Sequence, residues 1–191
     1  MNEQRVTVSG KYIVLTYAYL YDAASFALKQ ATNSEEGGFY HCLYSIVMNA
    51  FCLEAYLNHV GMDRFPDWDE YAAPLDKLER IAKAVGIEID YGKRPFQSIR
   101  ITNKFRNLLA HGRTDVLPIS YTERGPSNRK LIRSRMQWER RTCTKRNAKR
   151  YLEDLAKVIQ MIHKQYKFEW PAFGHLGHGF YSGRLINDEH V

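Results

Sequence analysis

A chain of 191 residues with 45% hydrophobic and 26% charged side chains has an ordinary globular composition, long enough to bury one sizeable core, which excludes general disorder. No apolar run reaches bilayer length, and the polar opening Met1-Asn2-Glu3-Gln4-Arg5 is unlike a secretion signal; a cytoplasmic protein with no membrane contact is expected. The formal charge of +7 is concentrated, since Arg129 to Arg150 hold ten Lys or Arg residues against one acid, Glu139: a stripe suited to RNA or DNA or, on the plainer reading, a solvated basic surface.

The first element predicted is a helix from Gly10 to about Thr32, with Leu20, Ala23, Ala24, Ala27, Leu28 and Ala31 at helical spacing. Asn33 to Gly38 is a turn. A second helix runs from about Phe39 to His59; its apolar stripe includes Phe39, Leu43, Ile46, Val47, Ala50, Phe51 and Leu57, and Gly61 suits its end. Pro74 opens a short helix with Leu75, Leu78, Ile81, Ala82 and Val85 on one face, and Gly86 stops it. From Pro95 to about Gly112 a fourth helix has Ile101, Phe105, Leu108 and Leu109 as its apolar stripe.

The period then changes. Val116–Thr122 and Leu131–Trp138 alternate around Gly125-Pro126-Ser127-Asn128, which predicts a hairpin with Ile132, Met136 and Trp138 on one face and Arg133 and Arg135 on the other. A last helix spans about Lys145 to Lys167, lined by Tyr151, Leu155, Val158, Ile159 and Ile162. The predicted fold is mainly α: an up-and-down bundle of four main helices plus a short one, with a basic β-hairpin (about 115–141) inserted before the last helix. Residues 1–170 form this domain, and 171–191 are a Gly-, His- and aromatic-rich tail without a clear period. Cys42, Cys52 and Cys143 have no close pair and read as free thiols.

Chemistry concentrates on the polar side of the fourth helix. Asn103, Asn107 and His111 are successive i, i+4 neighbours, bordered by Arg100 and Lys104, with Arg106 and Arg113 on the flank. Arg offers a fixed fork of donors for phosphate, and His moves a proton near neutrality. RNA brings its own nucleophile, the 2'-hydroxyl, so this pair needs no metal to cleave it. One motif holds one His; a two-fold dimer would supply a second. The structural alternative is that Arg and His at a helix C-terminus complement the helix dipole.

Phe105-Arg106-Asn107-Leu108-Leu109-Ala110-His111-Gly112 resembles the RN-x-x-x-H signature of the HEPN (higher eukaryotes and prokaryotes nucleotide-binding) superfamily. Glu54-Ala55-Tyr56-Leu57-Asn58 resembles the EA-x-x-N pattern in the second helix of several HEPN-like families, and the likeness covers about residues 11–168. The resemblance implies a dimeric, metal-independent endoribonuclease without a cofactor, of a toxin–antitoxin, phage-defence or RNA-processing system, with an antitoxin or other operon-encoded protein as a possible partner. It makes Arg106 and His111 catalytic, with Asn107 beside them. Glu54 would support the site by orienting Arg106, or would simply pair with a donor at the core edge. By their placement and charge, and not by the resemblance, Asn103 would support the site and Arg100, Lys104, Arg113, Arg133 and Arg135 would guide RNA. The alternative within the family is a non-catalytic RNA- or protein-binding module. Arg113 departs from one toxin subgroup, which has a modifiable Tyr there. His175 and His178 lack accompanying Cys or carboxylates, so no metal site is expected; Gly174, Gly177 and Gly179 imply no phosphate loop.

Overall fold

Seven elements follow one another in the computed structural model, which describes residues 6–33, 37–114, 116, 138, 141–169 and 171–185. They are β1 (Val6–Val14), α1 (Thr16–Asn33), α2 (Gly38–Arg64), α3 (Pro74–Ala84), α4 (Phe96–Ala110), α5 (Lys145–Tyr166) and β2 (Gly177–Leu185). The protein is a mainly helical bundle with one two-stranded antiparallel sheet among the described residues. α2 is the central helix and packs against α1, α3, α4 and α5. None of these helices is long and apolar enough to cross a membrane. The three cysteines are buried, and none of them forms a disulfide.

Local chemistry sets most of the boundaries. Pro74 sits in the first turn of α3, where its missing N–H costs nothing, and Gly86 takes the left-handed backbone (φ 70°) just past the end. Thr144 caps α5, its side chain accepting from the Asn147 N–H at 3.2 Å. α2 continues past His59 to Arg64, so Gly61 is not its stop. Glycine is needed there because the Trp68 indole lies on it, and a Cβ would fall inside the ring's contact distance. The indole N–H donates to Asn58 Oδ1 at 3.2 Å.

The first helix begins later than its apolar spacing suggests. Residues 6–14 form a strand, with β-branched Val6, Val8, Ile13 and Val14 favouring extended backbone. The strand's partner lies in the tail: Val6 stands opposite Leu185, Tyr12 opposite Gly179 and Val14 opposite Gly177. Gly177 and Gly179 leave room for the Tyr12 ring, since a Cβ on Gly179 would sit 2.7 Å from Tyr12 Cδ2. Glycine at three of the nine positions of β2 interrupts the two-residue period there. The expected hairpin lies outside the described residues apart from Val116 and Trp138; Trp138 has helical backbone and packs on Phe39 and Phe105.

Two apolar clusters fill the bundle. One gathers Leu15, Tyr17, Leu53, Tyr56, Leu57, Ile81, Ile99, Leu155 and Ile159, among others; the second gathers Ala31, Cys42, Ile46, Phe105, Ala148 and Tyr151. Along α2, α4 and α5 the change between the buried members of the two clusters falls at buried polar residues: Asn49, Thr102 and Asn103, and Asp154. Asp154, 0% exposed, accepts a two-pronged bond from Arg94 (2.7 and 2.8 Å) and a third from the Ser98 hydroxyl (2.6 Å). That network ties the start of α4 to α5.

Tyr17 carries a testable cost. Its ring meets Tyr56 edge-on at 5.1 Å, but its buried hydroxyl has no hydrogen-bond partner among the described residues. Burial, then Cys52, pushes its phenol up to about 12, and burial raises Tyr56 in the same direction. The folded protein therefore keeps protons that the unfolded chain releases. This stabilisation is complete below the ordinary tyrosine value of about 10 and fades as pH rises from there through about 12. Tyr17→Phe should hold or raise stability by up to about 1 kcal/mol at neutral pH and flatten the alkaline limb. Urea unfolding between pH 7 and 11 checks both; a large loss at pH 7 would show that the hydroxyl is satisfied.

Candidate active site

α4 faces the core with a different stripe from the one its apolar residues suggest. Phe96, Ser98, Ile99, Thr102, Asn103 and Phe105 are buried. Asn103 therefore points inward and does not join an exposed polar row with Asn107 and His111. Leu108 is 50% exposed and does not belong to the core face. The reason is the polar junction between the two clusters: inward positions on this helix are set partly by hydroxyl and amide groups, which a hydrophobic count assigns to solvent.

Arg106 also turns inward. Its Nη2 donates to Glu54 Oε2 of α2 at 2.5 Å, with side-chain exposures of 20% and 29%. The guanidinium lies over the Phe51 ring, 5.6 Å from its centroid, and its buried Nε has no partner among the described residues. Phe51, expected in the core stripe of α2, is in fact exposed enough to serve as this platform. Glu54 faces a second cation: Lys77 Nζ of α3 stands 3.7 Å from Oε1. Lys77 is itself buried and donates to the Glu70 carbonyl at 2.5 Å. Lys77 escaped the sequence reading because a lone lysine in a short helix looks solvated. Its position four residues before Ile81, at the edge of the apolar stripe, was the available signal.

His111 is the residue after α4, exposed, with its backbone N–H bonded to the Asn107 carbonyl at 3.0 Å. Asn107, Lys104 and Arg113 are exposed, and Arg100 is half-buried. Arg133 and Arg135 lie outside the described residues. The structure thus brings Arg106 and Glu54 together, adds Lys77 and Phe51, and leaves Asn107 and His111 open to solvent at the helix end. Chemically, this is an arginine held half-buried on an aromatic ring, beside a short stretch of accessible amide and imidazole.

Fold and site separate unequally here. His111→Ala should change stability by no more than roughly 1 kcal/mol, because the side chain is exposed at a helix end. Arg106→Ala should cost more, about 1–2 kcal/mol, by removing a half-buried ion pair and the cover on Phe51. Denaturant unfolding of the two variants checks the order; the reverse order would give His111 the structural role.

A scan against protein-family models finds no match, and searches of curated proteins and of solved structures find none either.

Proposed function

We propose that the protein is a metal-independent endoribonuclease of the HEPN type, acting as a homodimer in a toxin–antitoxin or phage-defence setting. The observation that carries this reading is the Arg106–Glu54 ion pair. It joins the RN-x-x-x-H segment to the EA-x-x-N segment, 52 residues apart in sequence, through the two residues that the resemblance singles out. Arg106 binds the scissile phosphate and offsets the charge that grows on its oxygens. His111 acts as general acid or base, and the second proton-transfer group comes from the partner protomer. Asn107 lies next to them on the exposed side. Arg100, Lys104, Arg113 and the basic segment with Arg133 and Arg135 attract the RNA strand. An antitoxin or other operon-encoded protein would hold the enzyme in check.

One observation favours a second reading, a non-catalytic RNA- or protein-binding module: Glu54 already takes up the charge of Arg106. Incubation of the purified protein and its His111→Ala variant with mixed RNA separates the two. Cleavage by the unmodified protein alone supports the enzyme, and no cleavage by either supports the module.

A further inference from the structure

Two arginines tie α4 to its neighbours, and they do so differently. Arg94 grips Asp154 with both arms of its fork, on a carboxylate that a serine also holds. Arg106 reaches Glu54 through Nη2, while its Nε has no partner among the described residues. The second oxygen of Glu54 faces Lys77, 3.7 Å away. One carboxylate is thus divided between two cations, so Arg106, Glu54 and Lys77 together carry one excess positive charge. Lys77 is fixed in place by the Glu70 carbonyl, its side chain 1% exposed. It cannot follow Glu54; Glu54 has to come to it.

We infer that Glu54 is a displaceable stand-in for phosphate, which leaves Arg106 for Lys77 when a phosphate oxyanion takes the guanidinium. The inference rests on the reading of Arg106 as the phosphate-binding residue and adds how that residue is held between turnovers. Without Lys77 the exchange would leave a half-buried carboxylate uncompensated, which is costly. With Lys77 in reach, the released carboxylate tightens an ion pair that is already half made. The incoming phosphate then meets a fork of which Glu54 had engaged Nη2 alone, and planar two-point recognition favours it over a one-point carboxylate. In the resting protein, the Phe51 ring and Glu54 keep the arginine in position and occupied, so weak anions are screened out. Glu54 is on this view a positioning residue that competes with the substrate, and Lys77 is the acceptor of its charge.

The test is binding, with cleavage removed from the measurement. The full chain is titrated with an RNA oligonucleotide carrying 2'-O-methyl groups throughout, and separately with inorganic phosphate, to tell a strand from a free anion. Glu54→Gln keeps the shape and removes the competing charge. It should tighten RNA binding about two- to fivefold, the range of a partly exposed ion pair. Lys77→Met should weaken binding by a similar factor in the unmodified background and have little effect on top of Glu54→Gln. A lysine that merely attracts RNA would weaken binding equally in both backgrounds. Arg106→Ala is the control for the site. If it weakens RNA binding while Glu54→Gln also weakens it, the exchange is overturned and the site stands. If Arg106→Ala leaves binding unchanged, the phosphate does not sit on Arg106, and both are overturned. Should Lys77→Met fail to fold, the direction of the Glu54→Gln effect still decides. Response to free phosphate as well as RNA would mark the exchange as a property of the oxyanion alone; response to RNA only would place the strand's other contacts in the exchange.

Discussion

Cleavage of RNA should survive EDTA and stop at a single missing 2'-hydroxyl. Arg106, Asn107 and His111 present neither thiolates nor a carboxylate set of their own, and the carboxylate at hand among the described residues, Glu54, is already shared by Arg106 and Lys77. The proposed chemistry therefore draws its nucleophile from the substrate. The adjacent 2'-hydroxyl is held next to the phosphorus by the ribose itself, so little orientational entropy remains to be lost. In that scheme His111 would move a proton, a role that typically contributes about 10²- to 10⁴-fold to rate. The products should carry a 2',3'-cyclic phosphate and a free 5'-hydroxyl. His111→Ala should slow cleavage by about 10²-fold or more at nearly unchanged stability. A 2'-deoxy substitution at the scissile nucleotide should leave binding intact and abolish the cut there. Mass spectrometry of the fragments reads both outcomes. A requirement for Mg²⁺, or a cut at the deoxy position, would sink the mechanism.

Gly61→Ala should be among the most damaging small substitutions in the chain. A methyl group at this position collides with the six-membered ring and fused edge of the Trp68 indole, leaving the ring no room where it lies. Moving Trp68 also breaks its bond to Asn58 and removes the surface on which Arg80 rests, 4.7 Å over Phe65 and 5.6 Å over Trp68. Arg80 in turn holds Asp67 through Nη2 at 2.5 Å, which keeps that carboxyl below its usual range. Overpacking of this kind costs about 1–3 kcal/mol, and losing an aromatic's packing adds to it; roughly 3 kcal/mol is expected. For a chain of this size that corresponds to a melting temperature lower by about 6–12 °C. Gly61→Ala with Trp68→Ala should recover part of the loss, because the clash goes with the ring. Calorimetry of the three variants checks this. Additive losses would show that glycine serves the helix backbone and not the indole.

Legibility in the sequence followed the range of the interactions. α3 and α5 are bounded by residues that act on their own neighbours: Pro74, Gly86, and Thr144 with Asn147. Their limits could be read locally, and the bundle followed from their apolar stripes. β1 could not be read in this way, because an extended segment gains its bonds from a partner. Here the partner runs from Gly177 to Leu185 at the other end of the described chain. Gly61 misled for a related reason: its role is set by Trp68, seven residues on, and not by the helix that contains it. In the site, the inward turn of Asn103 and Arg106 was hidden because both residue types usually face water. Only the separate Glu54 segment pointed to where Arg106 goes. Lys77 was invisible until the Glu70 carbonyl and Glu54 were seen around it.

The pairing of Val6 with Leu185 makes the described chain nearly circular. Its two outer ends lie one strand spacing apart, about 5 Å. A short linker could therefore join them, and new ends could be opened at another turn. The segment between α2 and α3 is a poor place for that cut, since Trp68, Asp67 and Glu70 are each tied into the bundle. The turn at Gly86, where a Cβ would meet nothing, is a better one. Such a rearranged chain would place both of its ends at the foot of α3, and β1 and β2 would become one continuous hairpin.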